Sequence, residues 1–185
     1  MSAPLVEPRK NGPKLPALTP AFVADRLAAS GAAICSLVRG ADRELGRWRP
    51  EPERWSMVEV LCHLYDAECA DFWPRFELIL CDGPFTPIDP EGWARDRRYR
   101  EQNLGKVVDA FRQLRAERVS KLRKMGDVEL TTSRRTPTGG TLSAGGVLAA
   151  WVDHDLLHLR QLLNILHAHT VQRSAPFDVG YAGTW

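Results

Sequence analysis

The chain has 185 residues, of which 44% are hydrophobic, and 25 basic against 23 acidic residues leave a formal net charge of +2. This length favours a single domain with a filled core, and the balanced charge argues against nucleic acid or an anionic membrane as a partner. No apolar run approaches the roughly 20 residues of a membrane span and no signal peptide is recognisable, so we expect a cytoplasmic protein that does not enter a membrane.

The N-terminal residues and the first helix follow from proline positions. Residues 1–18 carry four prolines and scattered charge, which predicts a mobile lead-in before one domain at 19–185. Thr19 followed by Pro20 is typical of a helix start, because threonine caps and proline suits the first turn. Apolar spacing extends this first helix to about Asp42.

A connection with two prolines over 46–54 leads into the second helix. Ser56 and Glu59 form a capping-box pattern at its start, and apolar spacing carries the helix to about Leu80, with a bend expected at Pro74. The pattern explains Glu59 as a cap, but Glu59 is also a candidate proton acceptor.

The second helix carries a candidate ligand, His63, beside small residues that would leave open volume. Asp66 and Glu59 each lie about one helical turn from it. Either carboxylate could orient an imidazole, bind an ion or handle a proton, and the sequence does not choose between them.

Residues 82–103 are expected to form a long loop rich in proline and glycine, with arginines interleaved between Trp93 and Tyr99. Arg97 and its neighbouring arginines could form a lid that holds carboxylates or phosphates. A solvated, charged surface is the alternative explanation of the same pattern.

The remaining elements are a third helix over 104–125, a loop over 127–143 and a fourth helix. The fourth helix is expected to begin near Thr141 or Ser143 and to end near His169. It is apolar around most of its circumference, which is typical of a buried, central helix.

The fourth helix carries the pattern on which the functional hypothesis depends. His154, His158 and Gln161 fall within a narrow arc, so the two imidazoles can point at one ion and the amide can reach a bound water or ligand. Asp155 faces a different, apolar side, where we expect it to be buried and bonded to an arginine or a helix cap. Two core histidines satisfied by backbone or carboxylate groups remain the alternative to a metal site.

Two further histidines and four cysteines are assigned no role in the site. His167 and His169 are interpreted as surface residues. None of the cysteines forms a CxxC pair, which predicts buried free thiols rather than a disulfide framework. They are Cys35, Cys62, Cys69 and Cys81.

Four long helices without a convincing strand predict an all-α four-helix bundle whose ligand sites lie among inward-facing side chains. If the second and fourth helices are neighbours, His63 meets His154 and His158. Three neutral histidines with an open fourth position suit a ligand-exchanging divalent ion better than a closed structural zinc site.

Two motifs resemble those of the DinB-like superfamily, in its YfiT-type branch: WSxxEVLCHLxDxE from Trp55 to Glu68, and WxxHDxxHxxQ from Trp151 to Gln161. The resemblance covers nearly the whole chain from the first helix onward. It implies a four-helix bundle, often a homodimer, in which His63, His154 and His158 bind a divalent metal such as zinc or nickel.

The resemblance also implies two activities toward a small-molecule substrate. The first is metal-dependent transfer that involves a low-molecular-weight thiol such as bacillithiol or mycothiol, with Arg97 or a neighbouring arginine holding carboxylates of that cofactor. The second is metal-dependent hydrolysis, with Glu59 or Asp66 as the base. A non-catalytic protein that binds metal or ligand is the third hypothesis.

Overall fold

The computed structural model describes residues 16–85 and 87–185 of the chain, which are mostly helical. The predicted mobile lead-in therefore lies, up to residue 15, outside the described residues. The helices are α1 (Pro20–Arg39), α2 (Arg43–Arg47), α3 (Met57–Ala67), α4 (Trp73–Leu80), α5 (Pro90–Asp96), α6 (Leu104–Lys124) and α7 (Ala144–Ser174), and the strands are β1 (Ser133–Arg135) and β2 (Thr141–Ser143).

Four long helical segments form the predicted bundle: α1, the α3–α4 pair, α6 and α7. A π-helical turn at Glu68–Phe72 joins α3 to α4, and 3-10 turns lie at Tyr99–Glu101 and Gly180–Ala182. Helix α1 packs against α6 and α7, while α3 packs against α6 and α7 as well. The two helices that carry the candidate histidines are therefore neighbours.

The predicted helix starts are confirmed by their caps, whereas one predicted end is wrong. Thr19 Oγ1 accepts the amide of Phe22 at 3.1 Å at the start of α1. The helix ends at Arg39 and not at Asp42, because the Asp42 side chain instead accepts the amide of Leu45 at 2.8 Å and caps the short α2. Part of the predicted connection is thus helical.

The second predicted helix is interrupted by a π-helical turn immediately before Pro74. Proline has no amide hydrogen, so the α-helical bond to the carbonyl of residue 70 cannot form, and a wider turn accommodates that loss. The turn occupies Glu68–Phe72 and α4 begins at Trp73. It rotates the residues that follow relative to those of α3.

The predicted loop before the fourth helix contains a short antiparallel hairpin, in which Arg134 lies opposite Leu142. Ser143 then caps α7 by accepting the amide of Gly146 at 3.0 Å. Helix α7 extends beyond His169 to Ser174.

Helix α7 is less enclosed than its composition predicts. One side packs in the core through Leu148, Trp151 and Ile165, but Leu156 is 54% exposed and Leu157 46% exposed. The prediction of a fully buried central helix is therefore wrong, because its apolar circumference exceeds the surface that three neighbouring helices can cover.

Helix α1 is long and apolar enough to cross a membrane by length and composition alone, with a mean hydropathy of 1.5 over its best window. The expectation that no apolar run approaches this length was therefore wrong. Helix α1 also supplies core residues such as Leu27 and Ile34, which are fully buried against the rest of the bundle. The core helix of a bundle meets the same length and composition criterion.

All four cysteines are free thiols in the structure. Cys35 and Cys62 are buried, as predicted, and Cys69 is half-buried. Cys81 is exposed, contrary to prediction, because α4 ends at Leu80 and the chain turns toward solvent there.

Candidate metal centre

The three candidate histidines converge at one point between α3 and α7. His63 lies on α3, and His154 and His158 lie one turn apart on α7. The Nε2 atoms of His63 and His154 are 3.0 Å apart, and those of His154 and His158 are 3.2 Å apart. The ligand atoms of all three lie within 4.8 Å of one another, which makes them a candidate group for holding a metal ion.

These spacings fit a single transition-metal ion. With metal–nitrogen bonds of about 2.0–2.1 Å, two nitrogen ligands at octahedral or tetrahedral angles lie about 2.9–3.4 Å apart. Both short separations fall within that interval. Three imidazole nitrogens facing one another also lack a common partner, and one ion would satisfy all three.

Burial keeps these imidazoles neutral, which is the form that binds metals. Removal from water, reinforced by the neighbouring imidazoles, lowers the pKa of His63 to about 3. Burial, with smaller effects from His158 and Arg115, lowers the pKa of His154 to about 3. Burial also lowers the pKa of His158, although its hydrogen bond to Gln161 opposes the shift.

Gln161 is hydrogen-bonded to one of the three histidines. Its Oε1 atom lies 2.8 Å from Nδ1 of His158. Because a carbonyl oxygen only accepts, Nδ1 of His158 donates and its Nε2 lone pair is left for an ion. Contact of the Gln161 amide nitrogen with a bound water or ligand stays a prediction.

Aromatic rings form the walls of the site. The Trp55 ring centroid lies 5.1 Å from that of His63, and the Phe72 centroid lies 4.9 Å from that of His154. Phe72 also stacks on Trp151 with ring planes 3° apart. Phe72 belongs to the π-helical turn, so the irregularity in the second helix places an aromatic ring beside His154.

His63 is the deepest ligand and has an unsatisfied nitrogen. Its side chain is 9% exposed, while His154 and His158 are half-buried. Among the described residues, no hydrogen-bond partner reaches its buried Nδ1. The three histidines thus lie at the edge of the core, with His154 and His158 only partly exposed.

Glu59 is committed to other partners, so its contacts do not support a role as base. The carboxylate accepts the amide of Ser56 at 2.9 Å and its hydroxyl at 2.6 Å, and it forms an ion pair with Arg49. Although burial opposes the shift, these bonds hold the pKa of Glu59 below its usual value. The capping interpretation accounts for this residue.

Asp66 is similarly engaged, and a role for it at the metal stays a prediction that its contacts do not support. Tyr99 donates its hydroxyl to this carboxylate, and Arg97 Nη1 lies 2.5 Å from its other oxygen. Arg97 also lies over the Trp93 ring at 4.8 Å. Asp66 therefore anchors the predicted lid segment to α3, and Arg97 is occupied by this anchor and by Trp93.

A second buried polar cluster lies beside the histidines, and sequence analysis anticipated only Asp155 of it. Arg115 Nη2 donates to Asp155 Oδ1 at 3.0 Å, and the same guanidinium forms an ion pair with Glu68. Ser30 donates its hydroxyl to Asp155. We call Ser30, Glu68, Arg115 and Asp155 the charge cluster; its members lie on α1, the π-helical turn, α6 and α7.

Spacing along α6 could have revealed Arg115. The residue falls in register with the buried positions Phe111, Val119 and Leu122, so a cation occupies the core-facing stripe.

His167 and His169 remain outside the site, as predicted. They are half-buried, His167 stacked on Trp185 and His169 against Trp48.

Comparison with known proteins gives a family match. A sequence model of the DinB superfamily matches residues 26–162, which include all three histidines. Among curated proteins, none matches this chain.

Two solved structures share the fold. The first is YfiT from Bacillus subtilis, described as a probable metal-dependent hydrolase with an unusual four-helix bundle topology. It has a TM-score of 0.74 and 16% identity, over 86% of this chain and 93% of YfiT. The second is a protein from Exiguobacterium sibiricum, described as a candidate member of the DinB family. It has a TM-score of 0.57 and 20% identity, over 89% of this chain and 98% of that one.

Proposed function

This chain belongs to the DinB superfamily, and we propose that it is a divalent-metal-dependent enzyme whose ion is held by His63, His154 and His158. The observation that carries the proposal is the convergence of three Nε2 atoms, two pairs of which lie 3.0 and 3.2 Å apart. Three protein ligands leave coordination positions for a substrate, whereas structural zinc sites use four.

The reaction we favour is transfer that involves a low-molecular-weight thiol. When bound, a divalent ion would lower the pKa of a coordinated thiol or water, so that the nucleophile forms near neutral pH. This chemistry suits the site because Glu59 and Asp66 are bonded to arginines and are not free to accept a proton. The histidines would hold the ion, and Gln161 would keep the Nε2 of His158 directed at it.

The surroundings of the site indicate an electrophile with an apolar part. Trp55 and Phe72 border the imidazoles and present ring surface rather than charge. Such walls exclude water and bind an apolar group by contact.

Metal-dependent hydrolysis is the second candidate, and it is favoured by the description of YfiT as a probable metal-dependent hydrolase. Both reactions need the same ligands and differ in the nucleophile. A non-catalytic metal-binding protein would keep the ion but show no turnover.

A two-armed assay with metal-free, zinc-loaded and nickel-loaded protein tests the proposal. One arm supplies bacillithiol, mycothiol or cysteine with monobromobimane, and the other supplies p-nitrophenyl acetate without thiol. We expect metal-dependent conjugation that His154→Ala abolishes. His167→Ala, which removes a histidine outside the site, should retain it.

Hydrolysis without conjugation would select the second candidate. Turnover that does not depend on added metal, or that survives His154→Ala, would contradict both. Full metal occupancy without turnover in either arm would contradict the enzymatic proposal and leave a binding protein.

A further inference from the structure

A groove separate from the histidines lies between α1 and α6 and encloses a cavity of about 620 Å³. Its middle is lined by small side chains, including Ala28, Ala32, Ala116 and Ser120. A volume of this size is typical of small-molecule sites in proteins. The groove therefore has room for a ligand of moderate length.

The α1 side of the groove is apolar where a solvent-facing helix normally carries charge. Ala32, which lines the groove, and its neighbours Ala29 and Ala33, which lie beside it, are all exposed, and 44% of the most apolar window of α1 is buried. The high mean hydropathy of α1 thus comes partly from its exposed alanines and not from its core residues alone. An exposed apolar surface of this kind marks a contact site more often than a plain solvent face.

Cations lie at both ends of the groove. Arg39 and Arg112 line one end, and Arg123 and Lys124 line the other. The ion pair between Arg123 and Asp25, at 2.9 Å, fixes the antiparallel alignment of the two helices. Along α1, the lining residues span from 28 to 39, which at 1.5 Å per residue is about 16 Å.

The positive charge of the groove is only partly neutralised, because Arg112 pairs with Asp109 and Arg123 with Asp25. Among the described residues, no acidic side chain lines the cavity, and no ion pair is formed by Arg39 or Lys124.

The floor of the groove is held by the charge cluster. Arg115 crosses beneath Gly31, where a Cβ atom would lie 3.0 Å from the Arg115 Cγ. Since the Arg115 guanidinium already binds Asp155 and Glu68, the groove receives its aliphatic stem rather than a free charge. The arrangement is thus cationic at each end and apolar in the middle.

We propose that this groove binds an elongated small molecule with an apolar middle and an anionic group at each end, of which a long-chain dicarboxylate is the simplest example. The carboxylates would meet Arg39 and Arg112 at one end and Arg123 and Lys124 at the other. The chain would lie over the alanines, where its burial is favourable without any hydrogen bond.

Isothermal titration calorimetry of the full chain with dodecanedioate tests this site. Dodecanoate, which lacks one carboxylate, should bind about tenfold more weakly, and 1,12-dodecanediol more weakly still. Arg39→Ala and Lys124→Ala should each cost about tenfold in affinity. Arg160→Ala, at an exposed arginine on α7, should leave the affinity unchanged.

Two tryptophan substitutions distinguish binding in the groove from nonspecific binding to an apolar surface. Ala32→Trp fills the middle of the groove and should abolish binding, whereas Ala33→Trp, one residue along on the exposed face, should retain it. Binding should also survive His154→Ala, because the groove contains no metal ligand.

Four results would overturn the proposal. They are the absence of dodecanedioate binding, equal affinity for the diol, equal loss with Ala32→Trp and Ala33→Trp, and conversion of a dimer to a monomer by Ala32→Trp in light scattering. The last result would show that a second copy of the chain covers the groove.

Discussion

His154 and Asp155 are adjacent in α7 but belong to two buried polar groups of opposite character. Asp155 is fully buried and meets Arg115 and Ser30, so its charge is compensated within the protein. His154 meets two other neutral imidazoles, and the three ring nitrogens face one another without a shared partner. Asp155 is thus satisfied by protein atoms, whereas the three imidazoles call for an ion.

This difference indicates which group is structural and which is functional. Arg115 joins α6 to α7, to the π-helical turn and, through its bond to the carbonyl of Leu27 at 2.8 Å, to α1. Burial raises the pKa of Glu68 to about 7 although Arg115 opposes the shift, and the second oxygen of Glu68 has no partner among the described residues. Because Arg115 joins four segments of the bundle, the charge cluster stabilises the arrangement of helices that positions the histidines.

The largest expected effect is on the charge cluster. Arg115→Met would leave Asp155 and Glu68 buried without their cation, and breaking a buried ion pair in this way costs about 3–5 kcal/mol. Urea denaturation should show this loss in the free energy of unfolding with and without metal. Arg112→Met, at an exposed position on the same helix, should change stability by less than about 0.5 kcal/mol.

Metal removal should have the next largest effect on stability, and this effect should require the three histidines. At a free ion concentration 100 times the dissociation constant, binding stabilises the folded state by about 2.7 kcal/mol. Chelation should therefore lower the melting temperature of the parent protein. The same treatment of His154→Ala should produce no shift, and a shift equal to that of the parent would contradict the assignment.

Acid should lower the stability of the metal-free protein through its buried histidines. His63 and His154 stay neutral in the folded state to about pH 3, while their unfolded pKa is 6.5. Their contribution is fully present above pH 6.5 and is lost as the pH falls, by about 1.4 kcal/mol per pH unit for each histidine. Replacing both with leucine should flatten this dependence between pH 6.5 and 5 in urea denaturation. If the free energy of unfolding of this variant falls with pH as steeply as that of the parent, the histidines are not the cause of the dependence.

The smallest expected effect concerns the lid anchor. Asp66→Asn would remove the ion pair with the partly exposed Arg97 and weaken the contact with Tyr99, at a cost of about 1 kcal/mol. Limited proteolysis should become faster within residues 87–101, while metal affinity should not change. A loss of metal binding would instead show that Asp66 acts at the centre.

The sequence predicted the histidine site because its information is local. His154 and His158 are one turn apart on one helix, and the start of the second helix fixes the phase of His63 through the Ser56–Glu59 cap. The neighbouring α3 and α7 then bring the three side chains together. Helical periodicity and caps predict the face on which each histidine lies, whereas the meeting of His63 with the other two required that the helices be neighbours.

The sequence could not predict which partners the polar side chains would choose. Arg49 and Arg97 both lie outside the helices, Arg49 ten residues before Glu59, and their ion pairs with Glu59 and Asp66 exist only once these segments are placed. The same holds for Glu68 with Arg115, which are separated by 47 residues. Long-range pairing depends on the relative positions of helices, which periodicity does not give.

The central claim is that three histidines form one metal site, and metal stoichiometry tests it most directly. Protein purified without a histidine tag would be stripped, titrated with zinc and with nickel, and measured by elemental analysis beside His63→Ala and His154→Ala. We expect about one ion per parent chain and little in either variant. A parent that binds neither ion, or variants that bind as much as the parent, would contradict the claim.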